Sequence, residues 1–225
     1  MARTFKTAAY LLLLLGGVGL FGGTFASFGW LSFIPTSVEF PLGDLSGIAV
    51  DSSGHIYCGA QFYSRIQEYD PNGHFVAGWF IDCAGGVFRM RINARDELEV
   101  ATARKGMLYR FAPGGQLIEK KSNRYRAFAE FGSAGESHCV GPDESSYDIE
   151  VPRLSSVVVK TAASGGSREI VSVPLHKWLL MGPFPAWFFW MGAVLLLSGL
   201  HLIKKRQQQK DRQSTAHQQP DDAEP

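Results

Sequence analysis

The side chains able to do chemistry are few and scattered along 225 residues. Cys58, Cys83 and Cys139 are the three thiols, and no two form a CxxC pair, so thioredoxin-type exchange and zinc ribbons have no scaffold. The histidines are His55, His74, His138, His176, His201 and His217; none makes an HxH or HExxH pair. There is no GxSxG elbow, no P-loop and no GxGxxG between a strand and a helix. Gly16-Gly17-Val18-Gly19 lies inside an apolar run, where phosphate binding is excluded. Asp51, Asp82, Asp96 and Glu97 are spaced like no EF-hand, and turn formation accounts for them. The expectation is a chain with no catalytic residues, no metal and no cofactor.

One loop has a different character. Residues 122–138, SNRYRAFAEFGSAGESH, interleave basic and aromatic side chains: Arg124, Tyr125, Arg126, Phe128 and Phe131. Such a segment can contact a protein, a glycan or lipid headgroups. It can equally be a connector that packs its aromatics onto neighbouring sheets.

The elements around these residues follow from composition and patterning. The net charge is +1, with 22 Lys+Arg against 21 Asp+Glu, which argues against nucleic acid as a partner. Hydrophobic residues make up 45%, enough to exclude disorder of the whole chain. The apolar residues are unevenly spread. No charge occurs between Lys6 and Glu39, nor between Trp178 and Ile203. Each stretch is long enough to cross a bilayer core of ~30 Å as a helix. They predict transmembrane helices over 7–34 and 183–203, with Pro183 and Pro185 at the start of the second. A cleaved secretory signal ending near Thr24-Phe25-Ala26 is the rival for the first. Gly19 and Gly23 form a GxxxG row suited to helix packing. Arg3 and Lys6 flank one segment; Lys204, Lys205, Arg206, Lys210 and Arg212 flank the other. By the positive-inside rule both termini (1–6 and 204–225) are expected in the cytoplasm. Residues 35–182 are then expected outside it, in a two-pass integral membrane protein. The tail beyond Arg212 reads as a disordered end.

Residues 35–182 contain an internal repeat. Shifting GIAVDSSGHIYCGAQFYSRIQEYDPNGHFV (47–76) by 42 positions aligns it, without a gap, with RMRINARDELEVATARKGMLYRFAPGGQLI (89–118). Ile48 falls on Met90, Ile56 on Leu98, Tyr69 on Phe111, Pro71 on Pro113 and Gly73 on Gly115. Period-two runs flank the turns Asp51-Ser52-Ser53-Gly54 and Asp70-Pro71-Asn72-Gly73. Each unit reads as a four-stranded antiparallel meander, the length and content of one propeller blade. Units are expected at about 44–85, 86–122 and, more degenerate, 139–175. Cys58 ends the second strand of the first unit and Cys83 follows its fourth. Those ends share one side of a meander, so of three pairings Cys58–Cys83 is the candidate disulfide; the equal alternative is that the cysteines are simply buried apolar residues with no bridge.

The first unit resembles an NHL-type β-propeller repeat in its G-x-A-V-D opening, its S-G-x-I-Y second strand, its R-I-Q-x-Y-D third strand and its D-P-N-G turn. In the second unit Asn93, Asp96 and Glu99 replace Asp51, Gly54 and Tyr57. The resemblance implies a mainly β, partial propeller-like domain. Closed propellers need about four to eight blades, and this chain has room for three. Three outcomes are open: an open stack, a six-bladed ring completed by a second chain, or a partner protein covering the exposed side.

The expected function is therefore that of a membrane-anchored, non-enzymatic protein, whose β-repeat domain serves protein interaction or assembly outside the cytoplasm. A protein partner or a homo-oligomer is implied. The alternative is a small-ligand or metal-dependent sensor or enzyme, formed only when two chains complete a ring.

Overall fold

The computed structural model describes residues 7, 9–14, 16–17, 25, 32–43, 45–122, 126–132, 136–152, 155–174, 177 and 183–217, with the side chains of the last helix described over 190–209. The chain divides into two units, residues 19–185 and residues 1–18 with 186–225.

The first of these holds three four-stranded antiparallel sheets. Sheet A comprises β1 (Leu45–Val50), β2 (Ile56–Ala60), β3 (Arg65–Tyr69) and β4 (Phe75–Phe80). Sheet B comprises β5 (Phe88–Ile92), β6 (Leu98–Thr102), β7 (Met107–Phe111) and β8 (Leu117–Ser122). Sheet C comprises β9 (His138–Val140), β10 (Ser146–Glu150), β11 (Val157–Thr161) and β12 (Ser167–Val171). Each sheet is an up-and-down meander, and together they make a partial, propeller-like β fold. A short helix, α1 (Arg126–Glu130), lies between sheets B and C in the chain.

The repeat is visible down to its irregularities. In sheet A the register slips between Glu68 and Tyr69, leaving Val76 bulged on β4. In sheet B it slips between Arg110 and Phe111, leaving Ile118 bulged on β8. Those positions coincide under the 42-residue shift. The tight β1–β2 turn needs a left-handed residue, supplied by Gly54 at φ 84. Asp96 (φ 63) and Glu144 (φ 58) take that conformation in the matching turns of sheets B and C. The Asp96 carboxylate also accepts hydrogen bonds from the Ser52 backbone (2.9 Å) and hydroxyl (2.7 Å), tying the turns of sheets A and B together.

Sheet A is the middle layer. One face, through Ala49, Tyr57, Ile66 and Trp79, packs on Phe88, Met90, Leu98, Val100, Tyr109 and Phe111 of sheet B. The other, through Ile48, Val50, Ile56, Cys58 and Tyr69, packs on Tyr147, Val158, Ile170 and Val171 of sheet C. Burial on both faces explains why every position of β2 and β3 is buried. The order in space is thus C–A–B, although C follows B in sequence.

The two outer faces are finished differently. The far face of sheet C carries His138, Ser146, Asp148, Thr161, Ser167 and Glu169 together with Val140, which is exposed, and Val159 in one cross-strand set, with His138 Nδ1 2.7 Å from Asp148 Oδ1. On the far face of sheet B, Ala101 and Leu108 lie under Ala127, Phe128 and Phe131 of the connector. Arg89 and Arg91 stack over Phe128 and Phe131 at 4.3 and 4.1 Å. The rest of that face is a cross-strand charge ladder, Arg91–Glu99 at 2.8 Å and Arg110–Glu119 at 3.2 Å.

The lead-in segment 32–43 is held to sheet A by two buried polar side chains. Gln67 accepts from the Phe40 amide (2.6 Å) and donates to the Phe40 carbonyl (3.0 Å). The fully buried Arg65 donates to the carbonyls of Pro35 (3.2 Å) and Val38 (2.8 Å), and its guanidinium lies over the rings of both Phe40 and Phe80. Burial lowers its pKa to about 10.

The second unit contains α2 (Pro183–His217). Among the described residues no helix is long and apolar enough to cross a membrane. This corrects the expectation of two transmembrane helices over 7–34 and 183–203, and with it the two-pass topology with cytoplasmic termini and an extracytoplasmic β domain. The apolar run ending at Ile203 does not close a helix: α2 continues without a break through Lys204, Lys205 and Arg206 to His217. In the first segment the described helical residues are Thr7, 9–14, 16–17 and Phe25. Gly19 and Gly23 lie outside the described residues.

Candidate functional site

A groove of about 590 Å³ opens between sheets A and B. Its floor is aromatic because the inward-facing positions of the two meanders converge there. Trp79 from β4 lies 5.5 Å from Phe111, and Tyr109 stacks on Phe111 at 6.1 Å with the rings only 6° apart. Leu117 and Lys120 form one wall. They share a face despite their odd spacing because the bulge at Ile118 resets the pleat, placing Leu117 opposite Phe111 and Lys120 opposite Tyr109. Gly115 closes the end, its backbone against the Trp79 ring.

The polar groups of the groove lie at its margin. Lys105 pairs with Asp82. Lys120 instead lies over the Tyr109 ring, its Nζ 5.4 Å from the centroid. Tyr109 donates its hydroxyl to the Asp82 carbonyl at 3.3 Å; burial, helped by the Asp82 charge, pushes its pKa up to about 12. The Trp79 indole nitrogen is buried and has no acceptor among the described residues. Nothing here is a nucleophile with a base. The arrangement offers an apolar slot, a cation at the rim and, alongside, the outer edge of β8, which among the described residues pairs only with β7. Leu117 and Ile118 on that edge are 50% and 46% exposed.

A smaller opening of about 320 Å³ sits where β1, β5 and β9 converge, lined by Ile48, Val50, Met90, Arg91, His138 and Cys139 among others. Among the described residues no group of three or more His, Cys, Asp or Glu side chains is placed to hold a metal ion. The carboxylates considered for calcium are engaged elsewhere. Asp51 accepts from the amides of Ser53 and His55 and from the Tyr57 hydroxyl. Asp96 holds Ser52, Asp82 holds Lys105, and Glu97 holds Asn93.

The basic and aromatic loop is only partly a surface. Arg124 and Tyr125 lie outside the described residues. Arg126 is exposed and pairs with Glu130 at 2.7 Å on α1. Phe131 is buried and Phe128 half-buried, both turned onto sheet B. These rings serve as the cover of that sheet. The expected Cys58–Cys83 bridge is not formed: all three thiols are free. Cys58 lies in the core between sheets A and C, whereas Cys83 lies in the core between A and B, 3.0 Å from the Ser64 hydroxyl.

The groove itself was missed by sequence reasoning. A signal existed in the pairing of Trp79 with the Phe111 and Gly115 positions, but it requires knowing that sheets A and B stack face to face.

No protein family matches the chain, and no curated protein does. Among solved structures it is similar to selenomethionine-substituted virginiamycin B lyase from Staphylococcus aureus, with 13% identity and a TM-score of 0.33 over 63% of this chain and 44% of that one. It is similar to a streptogramin B lyase at 16% identity, TM-score 0.33, over 61% of this chain and 45% of that one. A protein of unknown function from Bacteroides caccae follows at 13% identity, TM-score 0.30, over 58% and 46%. The chain thus spans less than half the length of each of these proteins.

Proposed function

We propose that the chain is a non-enzymatic interaction protein whose repeats are of the NHL type. Its groove between sheets A and B receives an extended segment of a partner protein, apolar with at least one carboxylate. The observation that carries this reading is the groove itself. Its aromatic floor offers buried apolar contact of the kind that anchors interfaces. Lys120 at the rim favours an acidic group on the partner, and the open edge of β8 can pair with an extended backbone. The finished outer faces of sheets B and C favour a single chain over a ring completed by a second copy, since neither presents a large apolar face to another blade.

The test is site-directed photo-crosslinking of the full chain in its native host. A photoreactive residue at Leu117 should trap one discrete partner, and the same residue at Glu169, on the polar far face of sheet C, should not. Lys120→Glu should abolish the Leu117 adduct. Equal labelling from both positions, or an adduct indifferent to Lys120→Glu, refutes the groove as the binding site.

A further inference from the structure

We infer that Cys58 and Cys139 are an oxidisable pair able to close into a disulfide across the seam between sheets A and C. Both side chains belong to the same apolar layer, Cys58 with Ile48, Val50, Ile56 and Tyr69, and Cys139 beside Tyr147 and Ile149. The strands that carry them are neighbours across the seam. A Cβ placed on Gly141 would stand 3.5 Å from Cγ1 of Val50, so the end of β9 lies against the end of β1. Two residues back from Gly141 is Cys139. Two residues back from Val50 is Ile48, whose cross-strand partner on β2 is Cys58. Cys139 also lines the central opening beside Ile48 and Val50. The third thiol takes no part, because Cys83 sits in the other core with its sulfur at the Ser64 hydroxyl.

The oxidant is a small-molecule disulfide such as oxidised glutathione. Cys139 is half-buried and Cys58 fully buried, so Cys139 reacts first. Its thiolate attacks one sulfur of the glutathione disulfide, breaking that bond and releasing one glutathione thiolate. The Cys58 thiolate then attacks the Cys139 sulfur of the mixed disulfide and expels the second. Two cysteine sulfurs are oxidised, one glutathione disulfide is reduced to two thiols, and the two cysteine protons are given up. Burial pushes Cys139 up to about 12 and Cys58 higher still, so closure is slow at neutral pH and quickens as pH rises.

The experiment treats the full chain with a mixture of oxidised and reduced glutathione at neutral and at mildly alkaline pH. Remaining thiols are blocked under acid quench, and the digest is analysed by mass spectrometry without reduction. The expected result is one linked pair of peptides, carrying Cys58 and Cys139, lighter than their sum by two hydrogens and forming faster at the higher pH. Cys83→Ser should leave the link intact, and Cys139→Ser should remove it. A link that includes Cys83, a glutathione adduct that persists on Cys139, or three free thiols after refolding from denaturant in the same mixture overturns the assignment.

Discussion

Two adjacent glycines at the mouth of the groove should respond very differently to alanine. Gly114 and Gly115 both hold left-handed backbone, φ +82 and +80, where an added Cβ costs roughly 1–2 kcal/mol. Their surroundings differ. A Cβ on Gly114 would meet nothing within 4 Å, whereas one on Gly115 would stand 2.5 Å from Cζ3 of Trp79. That ring is hemmed in on its inner side, being 9% exposed with Phe111 at 5.5 Å and Tyr57 at 6.3 Å. Over-packing of this kind costs about 1–3 kcal/mol beyond the backbone effect. Gly114→Ala should therefore lose about 1 kcal/mol and Gly115→Ala about 3 kcal/mol. The difference, about 2 kcal/mol, isolates the contact because the backbone cost cancels between neighbours. Urea denaturation of both variants, followed by circular dichroism, measures it. Equal losses, or a larger loss at Gly114, would refute the packing of the β7–β8 turn on Trp79 and with it the closed end of the groove.

Phe131→Ala should cost about 3 kcal/mol, at the low end for a buried phenylalanine because its cluster is small. It should also cause concentration-dependent association, measured by light scattering, as Ala101 and Leu108 are uncovered; a monomer with unchanged stability denies α1 its covering role. The Tyr109 pKa is raised in the folded state from 10.0 to about 12. Its contribution is complete below the unfolded value and is lost as pH climbs through the folded one. Tyr109→Phe should flatten the alkaline arm of the stability–pH curve by about 2 kcal/mol, and an unchanged arm counts against its burial. The Asp143 carboxyl, held by Lys160 at 2.7 Å, is lowered from 3.8 to about 2. Stability from this pair is present above pH 3.8 and fades as pH falls through the folded value, so Asp143→Asn should flatten the acid arm in urea titrations.

The sheets were legible because their signals are local. Asp51-Ser52-Ser53-Gly54 and Asp70-Pro71-Asn72-Gly73 declare two turns, and period-two runs between them declare strands. The 42-residue shift carries even the bulge from Val76 to Ile118. What the residues did not declare is which faces meet. Ala101 and Leu108 look like positions awaiting another blade until Phe128 and Phe131 arrive from the connector. The burial of Arg65 was equally hidden: an arginine in a strand reads as a solvated end, and only the carbonyls of Pro35 and Val38 with the rings of Phe40 and Phe80 make it an interior residue. The cysteine pairing failed for a related reason. Strand ends on one side of a meander are close in the plane of the sheet, yet Cys58 and Cys83 point into cores on its opposite sides.

The position of sheet C follows from these same constraints. A meander with one apolar face must bury it against another, and by the end of sheet B two faces are candidates. The far face of B is already occupied by α1 and by the Arg91–Glu99 and Arg110–Glu119 ladder. The remaining apolar face belongs to sheet A, where Ile48, Val50, Ile56 and Tyr69 point away from B. Sheet C takes that face and turns His138, Asp148, Thr161 and Glu169 outward. Among the described residues the three sheets thereby end on a covered face at B and a largely polar face at C. The groove beside β8 is where the aromatic floor of Trp79, Tyr109 and Phe111 meets the outer edge of sheet B, a strand that among the described residues pairs only with β7.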